Sequence, residues 1–211
     1  KTTLLRYLTL LYARDMAEQS GLVRERLGLE ESGVLPILVP LRKLGAYLKV
    51  HRPTDDGTDG HGVLMQHLLE MLQADRIELT ADFFDPYLEE GRAVILLDGL
   101  DEVADPELRR RVSRMVEAFT QAYPDCRYVV TSRIRGYIDT VQLGPQYATT
   151  TVRDFTDADI AQFLSNWHLA VAVGLMAPGE SARSYAEAQT QQLLSAIQSN
   201  ERIRQLALNP L

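Results

Sequence analysis

The sequence predicts an α/β fold: a parallel sheet flanked by helices, followed by a small helical subdomain. Three observations carry this. Residues 93–97 (AVILL) are apolar at every position, and a strand that does not alternate is buried on both faces, as in a parallel sheet. Helical and strand-like segments alternate along the first two thirds of the chain, the order that builds α/β sheets. The last third then carries mainly helical periodicity.

In chain order, Leu4, Leu5, Leu8, Leu11 and Tyr12 recur at helical spacing and predict an amphipathic helix over residues 2–17. Residues 35–41 (LPILVPL) have strand length and composition, but Pro36 and Pro40 predict interrupted pairing. Residues 51–62 (HRPTDDGTDGHG) read as a surface loop. Helical period returns over residues 63–72. A short helix is expected over 82–90, capped by Thr80 and ended by Gly91. After the AVILL strand, Asp105 followed by Pro106 marks a helix start, with the cap first and proline at the first helical position. That helix runs through Leu108, Val112, Met115, Val116 and Phe119, and Pro124 and Asp125 turn the chain into a strand over 126–131. Residues 149–152 are expected as a final strand. Thr156 then caps a helix carrying Ile160, Phe163, Leu164 and Trp167 as core, with Asp157 and Asp159 favourable at its positive end. Helical pattern resumes after Pro178 and Gly179 and again through Ile203 and Leu206. The expected division is a core over 1–152 and a helical subdomain over 153–211.

Composition narrows the function classes. The 211 residues are 45% hydrophobic and 24% charged, with a net charge of −7. Those fractions are ordinary for a globular protein, and the acidic balance argues against nucleic acid or an anionic membrane surface as partner. Cys126, the single cysteine, excludes an internal disulfide and fits a reducing, cytoplasmic compartment. It is expected as a buried structural thiol. His51, His61, His67 and His168 show no paired-ligand spacing, and the chain has no Gly-x-Ser-x-Gly elbow. The sequence opens at Lys1 and closes on Asn209, Pro210 and Leu211, within what read as structured elements, so a longer parent protein is expected.

Three segments carry chemistry. Lys1, Thr2 and Thr3 open directly into a helix. Lys-Thr at a helix start is the closing half of a phosphate-binding loop: amides and dipole face an anion, the lysine reaches terminal phosphates, and a hydroxyl holds Mg²⁺. Asp98, Asp101 and Glu102 follow the buried strand, where α/β sheets bind ligands. Three carboxylates within five residues repel one another unless a cation or solvent relieves them. Asp98 is placed to help hold Mg²⁺, and Asp101 or Glu102 to position or deprotonate a water. Third, the strand ending in Thr131 and Ser132 is followed by Arg133. A fixed cation there stabilises charge on a transferring phosphoryl group, and a plain salt bridge at a loop start is an equal alternative. The run Arg109, Arg110 and Arg111 is expected as a solvated helix face, with a partner surface as the alternative.

Taken together and in order, KTTLLRYL, VILLDGLDE and YVVTSR resemble the NACHT family of STAND P-loop NTPases. FTDADIAQFLSNW resembles that family's helical segment after the sheet, and LALNPL its Asn-Pro-Leu element, so the resemblance spans nearly the whole chain. DGLDE after an apolar strand is its most specific motif. The resemblance implies ATP or ADP and Mg²⁺ as ligands, with Lys1, Thr2 and Thr3 toward the phosphates. Thr2 and Asp98 would serve Mg²⁺, Asp101 and Glu102 hydrolysis, Arg133 sensing, and Pro210 the adenine. It implies glycines immediately upstream of Lys1. It further implies a slow regulatory ATPase whose nucleotide state controls homo-oligomerisation and a fused effector beside sensor domains, in bacteria often linked to antiphage or innate defence. Two alternatives are a non-hydrolysing nucleotide-binding scaffold and a P-loop kinase of a small substrate. The intact acidic set disfavours the first; the Asp-Glu pair and the Asn-Pro-Leu tail disfavour the second.

Overall fold

The computed structural model describes residues 1–51, 60–134 and 142–209, with the backbone alone described at 60 and 61. The chain divides into two compact units, Lys1–Ala148 and Thr149–Leu211. The first is α/β, built on a small open sheet of three parallel strands.

Its elements are α1 (Thr2–Glu18), α2 (Leu22–Leu27), β1 (Leu35–Pro40), α3 (Leu41–Val50), α4 (Gly60–Ala74), α5 (Ala81–Glu89) and β2 (Ala93–Asp98). A 3₁₀ turn (Leu100–Glu102), α6 (Pro106–Ala122) and β3 (Arg127–Val130) follow. β2 is central: its residues pair in parallel with β1 from Leu35↔Ala93 to Pro40↔Asp98 and with β3 from Val94↔Arg127 to Leu97↔Val130. The AVILL run is apolar throughout because the two faces of β2 meet different layers. Ala93, Ile95 and Leu97 join Ile37 and Val39 against Leu44, Leu64, Phe84, Val112 and Phe119 from α3 to α6. Val94 and Leu96 face the other way, onto Leu5, Leu11, Tyr12 and Val23 of α1 and α2.

The prolines of β1 do not interrupt its pairing, contrary to the expectation from sequence. Leu35 N–H donates to the Arg92 carbonyl at 2.9 Å. Since both polar groups of a residue in a parallel strand face the same neighbour, alternation turns Leu35, Ile37 and Val39 toward β2. Pro36 and Pro40 then face the free edge of the described sheet, where a missing N–H costs no ladder bond.

Asp105 caps α6 as expected, its Oδ1 accepting from the amides of Glu107 at 2.9 Å and Leu108 at 3.0 Å. These bonds, the Leu108 one foremost, hold its carboxyl below the usual range. The expected loop over 51–62 is shortened from its far end: α4 begins at Gly60, and the remainder, 52–59, lies outside the described residues. α2 and α3 were not signalled as separate helices. The first is six residues between left-handed glycines, and the second starts directly at the end of β1 without a capping side chain.

One buried group makes a prediction about stability. His67 on α4 is buried, with the Tyr47 ring of α3 at 5.0 Å and Nε2 without a hydrogen-bond partner among the described residues. Burial pushes its pKa below the usual 6.5, with Glu70 opposing and Lys43 adding to the shift. The folded protein therefore binds this proton less readily than the unfolded chain. Its contribution to stability is present above about pH 6.5 and is lost as pH falls through the lowered folded value. His67→Gln is expected to flatten the fall in urea midpoint between about pH 7.5 and 5; an unchanged slope would clear His67 as its source.

The second unit contains α7 (Asp157–Leu175), α8 (Glu180–Gln198) and α9 (Glu201–Ala207). Thr156 caps α7 in a reciprocal box. Its hydroxyl accepts from the Asp159 amide at 3.2 Å, while Asp159 accepts from the Thr156 amide at 2.8 Å. Ile160 and Leu164 pack with Ile197, and Ala172 packs with Ala182 and Ala186. Two expectations are corrected. Residues 149–152 form no strand. Phe163 and Trp167 are not core; they are 51% and 58% exposed and stack on each other with centroids 6.3 Å apart. The line Ile160, Leu164, Ala172 is the one facing α8, and residues one position back along the helix lie about 100° around it. No helix among the described residues is long and apolar enough to cross a membrane.

Candidate functional site at the carboxyl ends of the strands

β2 ends in Asp98, and Gly99 then turns the chain with φ 76° and ψ 57°. Glycine suits this position chiefly through its backbone. The left-handed backbone strains other residues, and a Cβ would meet the Glu102 carboxyl carbon at 2.9 Å. Glu102 N–H closes the 3₁₀ turn on the Gly99 carbonyl at 3.0 Å. Three carboxylates thus follow the central strand within one tight turn.

The end of β3 organises that turn. The Thr131 amide donates to the Leu97 carbonyl and the Leu100 amide to the Thr131 carbonyl, both at 2.9 Å. Thr131 Oγ1 accepts from the Gly99 amide at 3.0 Å and donates to Asp98 Oδ1 at 2.8 Å. One oxygen of Asp98 is thereby fixed, and Oδ2 makes no hydrogen bond with the described residues. Asp101 Oδ1 accepts from the Arg133 amide at 2.9 Å, and its Oδ2 lies 3.4 Å from Arg133 Nε. The salt bridge that sequence left open for Arg133 is present, with Asp101 as partner. The Arg133 side chain is 80% exposed, where an ion pair is worth at most about 1 kcal/mol. Glu102 is exposed and its carboxylate makes no hydrogen bond or ion pair with the described residues.

Lys1 joins this cluster from 131 positions away, Nζ donating to the Ser132 carbonyl at 2.5 Å. Leu5 is the first amide bonded into α1, donating to the Lys1 carbonyl at 3.1 Å. The amides of Thr2, Thr3 and Leu4 precede that first helical bond and have no partner among the described residues at the positive end of the helix. The Thr2 and Thr3 side chains are exposed and form no hydrogen bond with the described residues. Lys1, Asp98, Asp101 and Arg133 are therefore linked through the 131–133 segment. Thr2 and Thr3 stand beside them only through Lys1, and Pro210 lies outside the described residues.

A hard divalent cation suits the donors present. Asp98 Oδ2 and the Thr2 hydroxyl are oxygens without a hydrogen bond among the described residues, and Mg²⁺ is commonly held by one or two protein oxygens with phosphate and water completing its shell. No group of three His, Cys, Asp or Glu among the described residues is arranged to hold a metal by itself. Two cavities, of about 320 and 230 Å³, are lined by Tyr123 and Asp125 in one and Arg92 and Arg127 in the other. These lie toward the amino ends of β2 and β3, and neither is lined by the carboxylate cluster.

Cys126, just before β3, is buried. Its Sγ donates to the Leu88 carbonyl at 3.3 Å, and burial pushes the thiol pKa up, the opposite of an activated nucleophile. From sequence, Thr131 is only a polar strand end. Its hydroxyl bridge between Asp98 and Gly99 follows from the parallel register, which no local pattern reveals.

No family model, curated protein or solved structure was found to match the chain.

Proposed function

We propose that the chain is the core of an ATP-binding and ATP-hydrolysing switch of the NACHT type, with nucleotide state controlling homo-oligomerisation and a fused effector. The observation that supports this best is the convergence of Lys1, Asp98, Asp101, Glu102 and Arg133 at the carboxyl ends of adjacent parallel strands. That end of an α/β sheet is where ligands bind.

In this reading the free amides of α1 and the Lys1 ammonium receive phosphate oxygens. Asp98, held in one orientation by Thr131, and the Thr2 hydroxyl would hold Mg²⁺. When bound, the cation neutralises charge on the phosphate oxygens. Arg133 lends a guanidinium to the transferring group. Glu102, exposed and uncommitted, takes the proton of the attacking water, whereas both Asp101 oxygens are already engaged by Arg133. The sequence leaves Asp101 and Glu102 as alternatives for the base; this geometry favours Glu102.

The test is product analysis with the intact protein and Mg²⁺-ATP. Stoichiometric free phosphate is the expected outcome. Transfer to a non-water acceptor would indicate a kinase, and tight binding without turnover would indicate a scaffold.

A further inference from the structure

We propose that Arg109 is a positioning residue for the acidic turn, its guanidinium bridging the carbonyls of Asp101 and Val103, on either side of Glu102, which the turn's own hydrogen bonds leave open. The turn is short and weakly self-supporting: its second internal bond, Val103 N–H to the Leu100 carbonyl, is 3.4 Å long. The carbonyls of Asp101 and Val103 instead accept from Arg109, from Nη2 at 3.3 Å and from Nε at 2.9 Å. A guanidinium is planar with a fixed fork of donors, so holding both carbonyls sets the spacing between Asp101 and Val103 and the pitch of the residue between them. That residue is Glu102.

The other end of the bridge is anchored. Arg109 N–H donates to the Asp105 carbonyl at 2.9 Å, in the first turn of α6, which Asp105 caps and Val112, Met115, Val116 and Phe119 bury. The arginine thus references the Glu102 carboxylate to a helix locked in the core. Its neighbour Arg110 is exposed and makes no hydrogen bond with the described residues, so Arg109 is distinct from the solvated face that the sequence run suggested.

The proposal rests on the reading of the site as an ATPase, and its test keeps the two separable. In the intact protein, Arg109→Gln is expected to lower kcat for ATP about 10- to 100-fold, the scale of a misplaced catalytic group. KM should stay within about twofold and the melting temperature close to parental. Arg109→Lys, able to reach one carbonyl at a time, should fall between the two, and Arg110→Gln should match the parent. Amide hydrogen exchange without nucleotide supplies the second readout: Glu102 and Val103 should exchange faster in Arg109→Gln and not in Arg110→Gln. Parental kcat in Arg109→Gln, or kcat, KM and melting temperature all failing together, would overturn the positioning role. Should the parent itself neither bind nor hydrolyse ATP, the ATPase reading fails. Exchange then decides alone whether Arg109 holds the turn, and unchanged exchange at both amides overturns that as well.

Discussion

Replacing Asp98 with alanine in the intact protein is expected to remove Mg²⁺-dependent ATP turnover, with a loss greater than about 100-fold. The scale follows from position. Losing a group that merely orients a metal ligand costs roughly 10- to 100-fold in affinity or activity, and in the proposed site Asp98 is a ligand itself. Its Oδ1 is spent on the Thr131 hydroxyl at 2.8 Å, so Oδ2 is the oxygen available to a cation. The cation would be the largest local charge in the site, and no other group covers for the loss of its carboxylate. Asp98→Asn sharpens the test. The amide oxygen still accepts from Thr131 and preserves the turn, while the charge is gone. Equal loss in both variants, measured as phosphate release across a Mg²⁺ titration, is the expected result. Turnover at the parental rate in either would remove Asp98 from the site, and loss in the alanine variant alone would make it a structural anchor for Thr131.

That β2 could be read from sequence, and its neighbours less well, has a physical basis. AVILL is apolar on both faces because α1 lies on one side and α3 to α6 on the other, and only double coverage favours such a run. Asp105 with Pro106, and Thr156 with Asp159, were legible because capping is local chemistry: donor and acceptor lie within three residues. Failures came where the deciding partner is distant. Prolines in β1 are harmless only because of which edge they face, a property of strand order. Phe163 and Trp167 share the helical period of Ile160 and Leu164, and periodicity cannot say which line meets a second helix. The candidate site divides along the same boundary. Lysine at a helix start and acids after a buried strand are legible as residue types. The bond from the Arg133 amide to Asp101 exists because parallel pairing sets the ends of β2 and β3 side by side, the bond from Lys1 to Ser132 also needs α1 packed on the sheet, and no short window contains either.

Glu102→Gln is expected to leave ATP bound while slowing hydrolysis by about 100-fold or more, the usual contribution of a positioned proton-transfer group. A base must offer a lone pair within reach of the water. Asp101 has one oxygen on the Arg133 amide at 2.9 Å and the other facing the Arg133 guanidinium at 3.4 Å, with its side chain only 15% exposed. Glu102 carries no such commitments, and Gly99, lacking a Cβ, leaves its carboxyl the space it occupies. Asp101→Asn still accepts from the Arg133 amide but loses the ion pair. Its expected signature is a smaller fall in rate, roughly 10-fold, joined to weaker discrimination between ATP and ADP as the arginine loses its tether. Single-turnover hydrolysis and nucleotide titrations on the two variants separate these outcomes. A larger loss in Asp101→Asn than in Glu102→Gln, with ATP affinity intact, would restore Asp101 as the base. Parental rates in both would strip the turn of its catalytic role and favour a nucleotide-binding scaffold, because the remaining acid, Asp98, has one oxygen on the Thr131 hydroxyl and in the proposed site would give the other to a cation rather than to a water.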